Sequence, residues 1–188
     1  RGYDKHVSTA PLRDNIAAAI LREASFSEFD TLVDPMAGSG TFGLEALLGL
    51  AECGAEHLRH FAFEHFPAFR PAAYRYFLKT NTNPHSERAT LRTIVLRDSH
   101  ERPLTIIRHN LQQLAAAGVD TAQVKVEHAD FFQTGAESLF GNTLVVFNPP
   151  YGTRLKSTQN TRAFFGKLGQ HLRRNWQGCS FAMIAPGK

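Results

Sequence analysis

The sequence has few of the features that mark secreted or membrane proteins. Its two cysteines, Cys53 and Cys179, stand far apart without CxxC spacing, which favours a reducing compartment over a disulfide framework. No apolar run approaches the roughly 20 residues of a membrane span, and no basic-then-apolar segment typical of a signal peptide opens the chain. We therefore expect a cytoplasmic protein with no membrane partner.

Several enzyme templates are missing as well. Gly38-Ser39-Gly40 lacks the GxSxG spacing of a hydrolase nucleophile elbow, and no P-loop lysine follows these glycines. His57, His60 and His65 have no accompanying cysteine and match no settled ligand geometry. We expect no metal site.

Length and composition favour one domain over residues 1–188. A chain of this length with 43% hydrophobic residues can bury one substantial core. Its formal net charge of +4 and its pI near 9.3 fit a nucleic-acid partner. The excess is mild and many soluble enzymes share it, so charge alone decides little.

Two short segments organise the chain: Asp34–Thr41, which is glycine-rich, and Asn148–Tyr151, which reads Asn-Pro-Pro-Tyr. Each follows a short apolar run typical of a buried parallel strand, at residues 31–33 and 143–147. Glycine takes positive φ and lets the backbone close around a ligand, whereas prolines fix φ and supply no N–H. Because open α/β sheets bind ligands at the carboxyl ends of their strands, we expect both segments to border one site.

Apolar runs that alternate with helical periodicity predict an α/β fold with a parallel sheet. The predicted strands are residues 31–33, 91–97, 123–128, 143–147 and 179–185. The predicted helices are residues 11–23, 41–50, 68–78, 103–117 and 161–173. Gly54 is the expected C-cap of the second helix.

A nicotinamide-dinucleotide fold is a rival interpretation of the glycines. Gly38, Gly40 and Gly43 satisfy GxGxxG, and Glu64 lies 21 residues beyond Gly43, where such folds place an acid for the ribose. The pattern alone is weak, and an Asn-Pro-Pro-Tyr loop has no role in hydride transfer. We therefore favour a different cofactor.

The two segments together resemble those of class I S-adenosylmethionine-dependent methyltransferases that act on exocyclic amines of nucleobases. More narrowly, the chain is similar to the bacterial rRNA guanine-N2 methyltransferases of the THUMP-associated family, which were earlier described as N6-adenine-specific DNA methylases. The resemblance spans nearly the whole chain and rests on Arg1-Gly2-Tyr3, Ala10-Pro11-Leu12-Arg13, Asp34–Thr41, Phe61-Ala62-Phe63-Glu64, Asp98, Asn110 and residues 148–155.

The resemblance implies a Rossmann-like fold in which a parallel sheet of order 3-2-1-4-5 is flanked by helices. In that family an antiparallel strand pair follows the fifth strand, and an RNA-binding THUMP region precedes the domain. Neither has a counterpart in this sequence, so we expect a fragment of a longer protein.

The resemblance also implies S-adenosyl-L-methionine as cofactor and assigns its site. The implied cofactor-binding residues are Pro11, Asp34, Pro35, Gly38, Gly40, Thr41, Asp98, Asp130, Phe131 and Asn148, and the implied catalytic residues are Asn148, Pro149 and Tyr151. Asp98 would accept from the ribose diol and Asp130 from the adenine amino group, with the Phe131 N–H against the ring. His100 stands where the family often has a second acid.

The Asn-Pro-Pro-Tyr loop suits the methylation of an amine. A base amine is a poor nucleophile because its lone pair is delocalised into the ring. Two acceptors aimed at its hydrogens, the Asn148 side-chain oxygen and the Pro149 carbonyl, would turn the lone pair toward the methyl group. Tyr151 offers a face on which the base can stack. In the alternative interpretation Asn-Pro-Pro only ends a strand, and Asp130 only caps a turn.

Residues 55–90 form an aromatic and basic insertion with two interpretations. Its aromatic and basic side chains could grip RNA by stacking and phosphate contacts. Alternatively, helix 68–78 buries its aromatic side chains on the flank of the sheet, which we favour for the aromatics.

We therefore expect a methyltransferase that modifies guanine N2 in 23S rRNA and has RNA as its partner. An adenine-N6 methyltransferase acting on RNA or DNA is the first alternative, since both use the same loop chemistry. A non-catalytic RNA-binding domain is the second. Stabilisation by S-adenosylhomocysteine would separate the enzyme from the binding domain, and stabilisation by NAD would favour the dinucleotide rival.

Overall fold

The computed structural model describes residues 6, 12–51, 61–80, 90–136, 139–150 and 158–185. Among the predicted site residues, Pro11 and Tyr151 lie outside the described residues, as do His57, His60 and Gly54. Within the described ranges no helix is both long and apolar enough to span a bilayer. The same ranges hold no group of three side chains that could bind a metal.

Five parallel strands form one sheet in the order β3-β2-β1-β4-β5, as expected from the resemblance. They are β1 Thr31–Asp34, β2 Thr93–Asp98, β3 Val124–His128, β4 Thr143–Phe147 and β5 Ser180–Met183. The order reverses between β1 and β4, where Leu32 lies opposite both Ile94 and Leu144. Such a reversal opens a crevice beyond the carboxyl ends of the strands.

In the described part of the chain, five α-helices accompany the sheet: α1 Asp14–Glu23, α2 Thr41–Leu50, α3 Pro71–Thr80, α4 Glu101–Ala116 and α5 Thr158–Asn175. The bounds of α2 agree with the prediction, and those of the other helices differ by up to three residues. After α2, Ala51 is already extended, so the helix ends before the predicted cap at Gly54. Most shifts lengthen a helix into adjoining polar residues, which apolar periodicity does not mark.

The three central strands β1, β2 and β4 are buried on both faces, whereas the edge strands β3 and β5 are partly exposed, and alternate residues of the central strands enter two cores. Leu32, Ile94 and Leu144 join the core that packs against α1, α2 and α4. Val33, Val95 and Val145 join the second core, which α5 covers through Leu168 and its neighbours. This alternation follows from the two-residue period of a strand.

The aromatic insertion departs from the sequence prediction. No residue of α3 is buried, and Tyr76 and Phe77 are 71% and 56% exposed. The prediction that this helix buries its aromatic side chains on the flank of the sheet is therefore wrong. The Phe63 and Tyr74 rings instead meet each other at 5.3 Å in a local aromatic cluster. The periodicity of the sequence predicted an apolar face on α3. In the structure this helix contacts the aromatic cluster through Tyr74 and does not pack on the sheet.

Candidate active site

A cavity of about 460 Å³ lies at the carboxyl edge of the sheet. The loops after β1, β2, β3 and β4 all contribute to its walls, and α5 adds Phe164. Its lining residues are Pro35, Met36, Gly38, Asp98, Ser99, His100, Arg102, Pro103, Ile106, Asp130, Phe131, Phe132, Asn148, Pro150 and Phe164. The glycine loop and Asn148 therefore share one cavity, as the sequence led us to expect.

The glycine loop is held in its turn by two backbone hydrogen bonds. The Gly40 N–H donates to the Ala37 carbonyl at 2.7 Å, and the Ala37 N–H donates to the Arg97 carbonyl of β2 at 2.8 Å. Gly40 has a φ of +77°, and a Cβ there would lie 2.9 Å from Ile107 Cγ1 in α4. The position thus needs glycine both for its backbone conformation and for its close contact with α4.

Asp98, at the end of β2, joins the first two loops of the cavity. Its Oδ2 accepts from the Gly38 N–H and its Oδ1 from the His100 N–H, both at 3.0 Å. The side chain is 14% exposed and lines the cavity. Since each carboxylate oxygen can accept a second hydrogen bond, Asp98 is oriented by the backbone yet can still accept from a ligand.

Asp34, at the end of β1, is placed differently. It is 2% exposed and does not line the cavity. Burial raises the pKa of its carboxyl to about 8; the nearby Asp98 charge adds to this, while the Met36 N–H, 3.2 Å from Oδ1, opposes it. Burial therefore favours the protonated form of Asp34, which contributes to the structure behind the cavity.

The loop after β3 presents both a polar and an aromatic wall. Asp130 Oδ1 accepts from the Phe132 N–H at 2.9 Å, so the residue does cap the short 3₁₀-helix Phe131–Gln133. It also lines the cavity, so the cap and a ligand contact are compatible roles. Phe131 is 3% exposed and packs on Phe147 and Trp176, which anchors this wall in the second core.

Asn148, directly after β4, carries an unpaired buried oxygen. No group in the described part of the chain donates to its Oδ1, which is buried. Leaving such an acceptor unpaired costs about 1–3 kcal/mol, and unpaired buried groups of this kind occur at functional sites. Because Asn148 lines the cavity, a ligand amine is a natural donor for this oxygen.

The predicted site residues fall into three groups. Those that line the cavity are Pro35, Gly38, Asp98, Asp130, Phe131 and Asn148. Those that are described but do not line it are Asp34, Gly40, Thr41 and Pro149. Those outside the described residues are Pro11 and Tyr151.

Sequence reasoning missed several lining residues: Met36, Ser99, Arg102, Pro103, Ile106, Phe132, Pro150 and Phe164. Most lie within a few residues of a strand end or in the first turns of the next helix. Their position next to a predicted strand end could therefore have identified them from the sequence. Ile106 and Phe164 lie deeper in α4 and α5, and only the packing of those helices brings them to the cavity.

Asn110 of α4 ties two distant segments to the site. It is fully buried; its Nδ2 donates to the His6 carbonyl and its Oδ1 accepts from the His6 N–H, both at 2.9 Å. Nδ2 also lies 3.5 Å from the Ser39 carbonyl of the glycine loop. Asn110 thereby holds His6 beside that loop.

The structure disfavours the dinucleotide interpretation. Glu64 lies in the 3₁₀-helix Ala62–His65, where its Oε1 accepts from the Phe61 N–H at 2.7 Å. The strands beside β1 are β2 and β4, and the acid that ends β2 is Asp98. Glu64 therefore does not occupy the position that an acid binding a cofactor ribose would need.

Comparison with known proteins places the chain in a family. The family model described as RMKL-like, methyltransferase domain matches residues 1–188. The Ribosomal RNA large subunit methyltransferase K/L of Acinetobacter baumannii (strain AYE) is 29% identical over 192 residues, and that of Syntrophotalea carbinolica is 31% identical over 191 residues. Each match covers 98% of this chain and 26% of the relative, so the chain spans about a quarter of these curated relatives.

Two solved structures share the fold across most of the chain. A possible methylase from Clostridium difficile 630 is 26% identical, with a TM-score of 0.72 over 93% of this chain and 44% of that one. The protein SMU.472, described as a candidate methyltransferase complexed with SAH, is 25% identical, with a TM-score of 0.74 over 94% of this chain and 45% of that one.

Proposed function

The chain belongs to the RMKL-like methyltransferase domain family, and on that premise we propose that it methylates an exocyclic amine of large-subunit rRNA. The methyl donor is S-adenosyl-L-methionine and the acceptor is guanine N2. The observation that carries the proposal is the buried Oδ1 of Asn148, which has no donor among the described residues and belongs to the cavity bordered by the glycine loop. Since the substrate is ribosomal RNA, we propose the cytoplasm as its compartment.

The residues of the cavity fit this cofactor. Each carboxylate oxygen of Asp98 accepts one backbone N–H and can accept a second hydrogen bond, which suits the two hydroxyls of a ribose; the His100 Nδ1 lies 3.6 Å from Oδ1. Asp130 offers an acceptor to the adenine amino group, and Ile106 and Phe132 add apolar wall for its ring. The cavity volume of about 460 Å³ lies in the range usual for small-molecule sites. When bound, S-adenosyl-L-methionine supplies an electrophilic methyl group on its sulfonium.

Asn148 and Pro149 would prepare the acceptor amine. The Asn148 Oδ1 and the Pro149 carbonyl each accept one hydrogen of the amine, which makes the nitrogen pyramidal and frees its lone pair. Because the prolines hold the loop rigidly and bring no competing N–H, these dipoles are preorganised, which is typically worth about 3 kcal/mol per group. The nitrogen can lose its proton to solvent after the transfer, so no strong base is required.

The comparisons support the substrate class and the cofactor. The curated relatives carry the name of large-subunit rRNA methyltransferases, and one structural neighbour is complexed with SAH. The choice of guanine over adenine rests on the family resemblance of the sequence, because the Asn148 chemistry serves either amine.

The test is methyl transfer to deproteinised large-subunit rRNA, followed by mass spectrometry of the digested nucleosides. We expect N2-methylguanosine from the unaltered chain, and N6-methyladenosine would favour the adenine alternative. Asn148→Ala should lower kcat by about 100-fold or more while the affinity for S-adenosylhomocysteine stays nearly the same.

The matched control is Asn142→Ala, because Asn142 is exposed just before β4 and does not line the cavity. It should retain full activity. Normal turnover by Asn148→Ala would refute the role of Asn148. An unaltered chain that neither binds S-adenosylhomocysteine nor transfers methyl groups would favour the non-catalytic RNA-binding alternative.

A further inference from the structure

The charges of the chain are distributed very unevenly along the sequence. All seventeen Asp and Glu residues lie within residues 1–137. Residues 138–188 contain seven Lys and Arg residues and no acid, although the whole chain has a net charge of only +4. Four of these cations, Arg162, Lys167, Arg173 and Arg174, lie on α5. This helix therefore presents positive charge without internal neutralisation.

Part of that charge forms one stripe along α5. Lys167, Gln170, His171 and Arg174 follow the spacing of neighbours on one helix face. Together with Phe132 and Asn175 they line a surface concavity of about 260 Å³. Lys167 and Arg174 are exposed there and, like the Gln170 amide, offer N–H donors.

His171 has a structural role in this stripe. The His171 Nε2 donates to the Thr134 carbonyl at 2.8 Å, and its Nδ1 accepts from the Asn175 amide at 2.8 Å. Both ring nitrogens are thus occupied in the neutral form of the ring. The charge available to a ligand comes from Lys167 and Arg174.

No carboxylate within the described ranges pairs with Lys167 or Arg174. Elsewhere the pattern differs: Arg97 pairs with Glu127 at 2.7 Å, and Arg108 pairs with Glu101. Lys167 instead lies 4.1 Å from the centroid of the Phe132 ring. With no carboxylate partner among the described residues, the two cations of the stripe can meet an external anion.

The stripe is continuous with the active-site cavity. Phe132 lines both the cavity and the concavity, and Phe164, one turn before Lys167 on α5, lines the cavity. Arg174 follows Lys167 by seven positions, which is about 10 Å along a helix. A polyanion lying on the stripe would therefore lie beside Phe132, which also lines the cavity.

We propose that Lys167 and Arg174 bind the phosphate backbone of the RNA strand whose base enters the cavity. This inference rests on the proposed function, which identifies the polyanion as RNA. The two side chains hold phosphates next to the cavity and so set the register of the strand, while the cavity itself selects the base. An acidic protein partner would use the same charges but would not give the salt dependence of a nucleic acid.

The test is a salt titration of the binding of a fluorescein-labelled single-stranded RNA to the whole chain. For single strands, log K falls with log salt by about 0.7 per neutralised phosphate. Removing two contacts in the double variant Lys167→Gln/Arg174→Gln should therefore reduce the slope by about 1.4. The matched control is Arg22→Gln/Arg92→Gln, which removes two exposed charges away from α5 and should leave the slope almost unchanged.

An unchanged slope in the Lys167/Arg174 variant, or an equal loss in the control, would overturn the proposal. Equal affinity of both variants for S-adenosylhomocysteine verifies that they are folded. The nucleoside assay separates this proposal from the proposed function. Methylation by the unaltered chain with no slope change in the variant refutes only the α5 contacts. A slope loss without methylation by the unaltered chain refutes only the enzyme.

Discussion

The two halves of the cavity differ in how their polar groups are paired. In the half built by β1 and β2, the protein already pairs the polar groups: Asp98 accepts from Gly38 and His100, and the Gly40 N–H is bonded within its loop. In the half built by β4, Asn148 Oδ1 is buried without a donor among the described residues.

The difference matches the two tasks that the site would perform. A cofactor returns to the same position in every cycle, so orienting its acceptors by backbone N–H groups lowers the entropy cost of binding. The acceptor for the reacting amine must stay open, because its hydrogen bond belongs to the substrate and contributes when charge develops. The unpaired oxygen therefore marks the transfer half of the cavity.

The largest effect that tests the first half is expected from Asp98→Ala. This change removes the acceptor proposed for the ribose diol and also leaves the Gly38 and His100 N–H groups without their partner. Hydrogen bonds to a charged group are worth about 1.5–3 kcal/mol, so the affinity for S-adenosylhomocysteine should fall about 10- to 100-fold, as measured by calorimetry.

Asp120→Ala is the control for this loss. Asp120 also accepts from a backbone N–H, that of Ala122 at 2.9 Å, but it does not line the cavity. Its removal should leave the affinity for S-adenosylhomocysteine unchanged. If Asp98→Ala bound this ligand as tightly as the unaltered chain, the ribose assignment would be wrong.

A smaller effect on folding stability is expected from Gly40→Ala. The substitution forces alanine into a φ of +77° and places its Cβ 2.9 Å from Ile107 Cγ1. Such strain and crowding cost roughly 2 kcal/mol, which would lower Tm by about 4–8 °C in a chain of this size.

The matched control is Gly166→Ala in α5, where an added Cβ meets nothing within 4 Å. Replacing a helical glycine in open space should raise stability by about 0.5–1 kcal/mol. A Gly40→Ala variant with an unchanged Tm in differential scanning calorimetry would show that the loop is not held as tightly as its hydrogen bonds indicate.

The smallest expected effect is the pH dependence that Asp34 gives to the free energy of unfolding. Its folded pKa of about 8 lies above the ordinary value of 3.8, so between these limits the folded chain holds a proton that the unfolded chain has released. The free energy of unfolding therefore falls as pH rises through this window, by at most about 1.4 kcal/mol per pH unit. This loss of stability is complete well above pH 8 and absent well below pH 3.8.

Asp34→Asn resembles the protonated acid and removes this titration. Urea unfolding at pH 5, 7 and 9 should show the variant gaining stability relative to the unaltered chain as pH increases. A difference that is the same at all three pH values would mean that Asp34 is ionised in the folded protein.

Sequence reasoning found the strands and their common edge because apolar runs and their spacing are local signals, whereas the strand order came from the family resemblance. It could not tell that Asp98 lines the cavity while Asp34 is buried behind it, since both acids simply end a strand. Likewise, the period of α3 indicated an apolar face but not its partner.

The sequence by itself determined the parallel α/β plan and brought the glycine loop and Asn148 to one edge, because strand burial and turn chemistry act over a few residues. Only the tertiary structure decided which groups are exposed in the cavity. It brought Asn110 into hydrogen-bonding contact with His6, 104 residues away, and placed Phe132 between the cavity and the stripe on α5. Exposure and pairing depend on contacts between distant segments, and no local pattern encodes them.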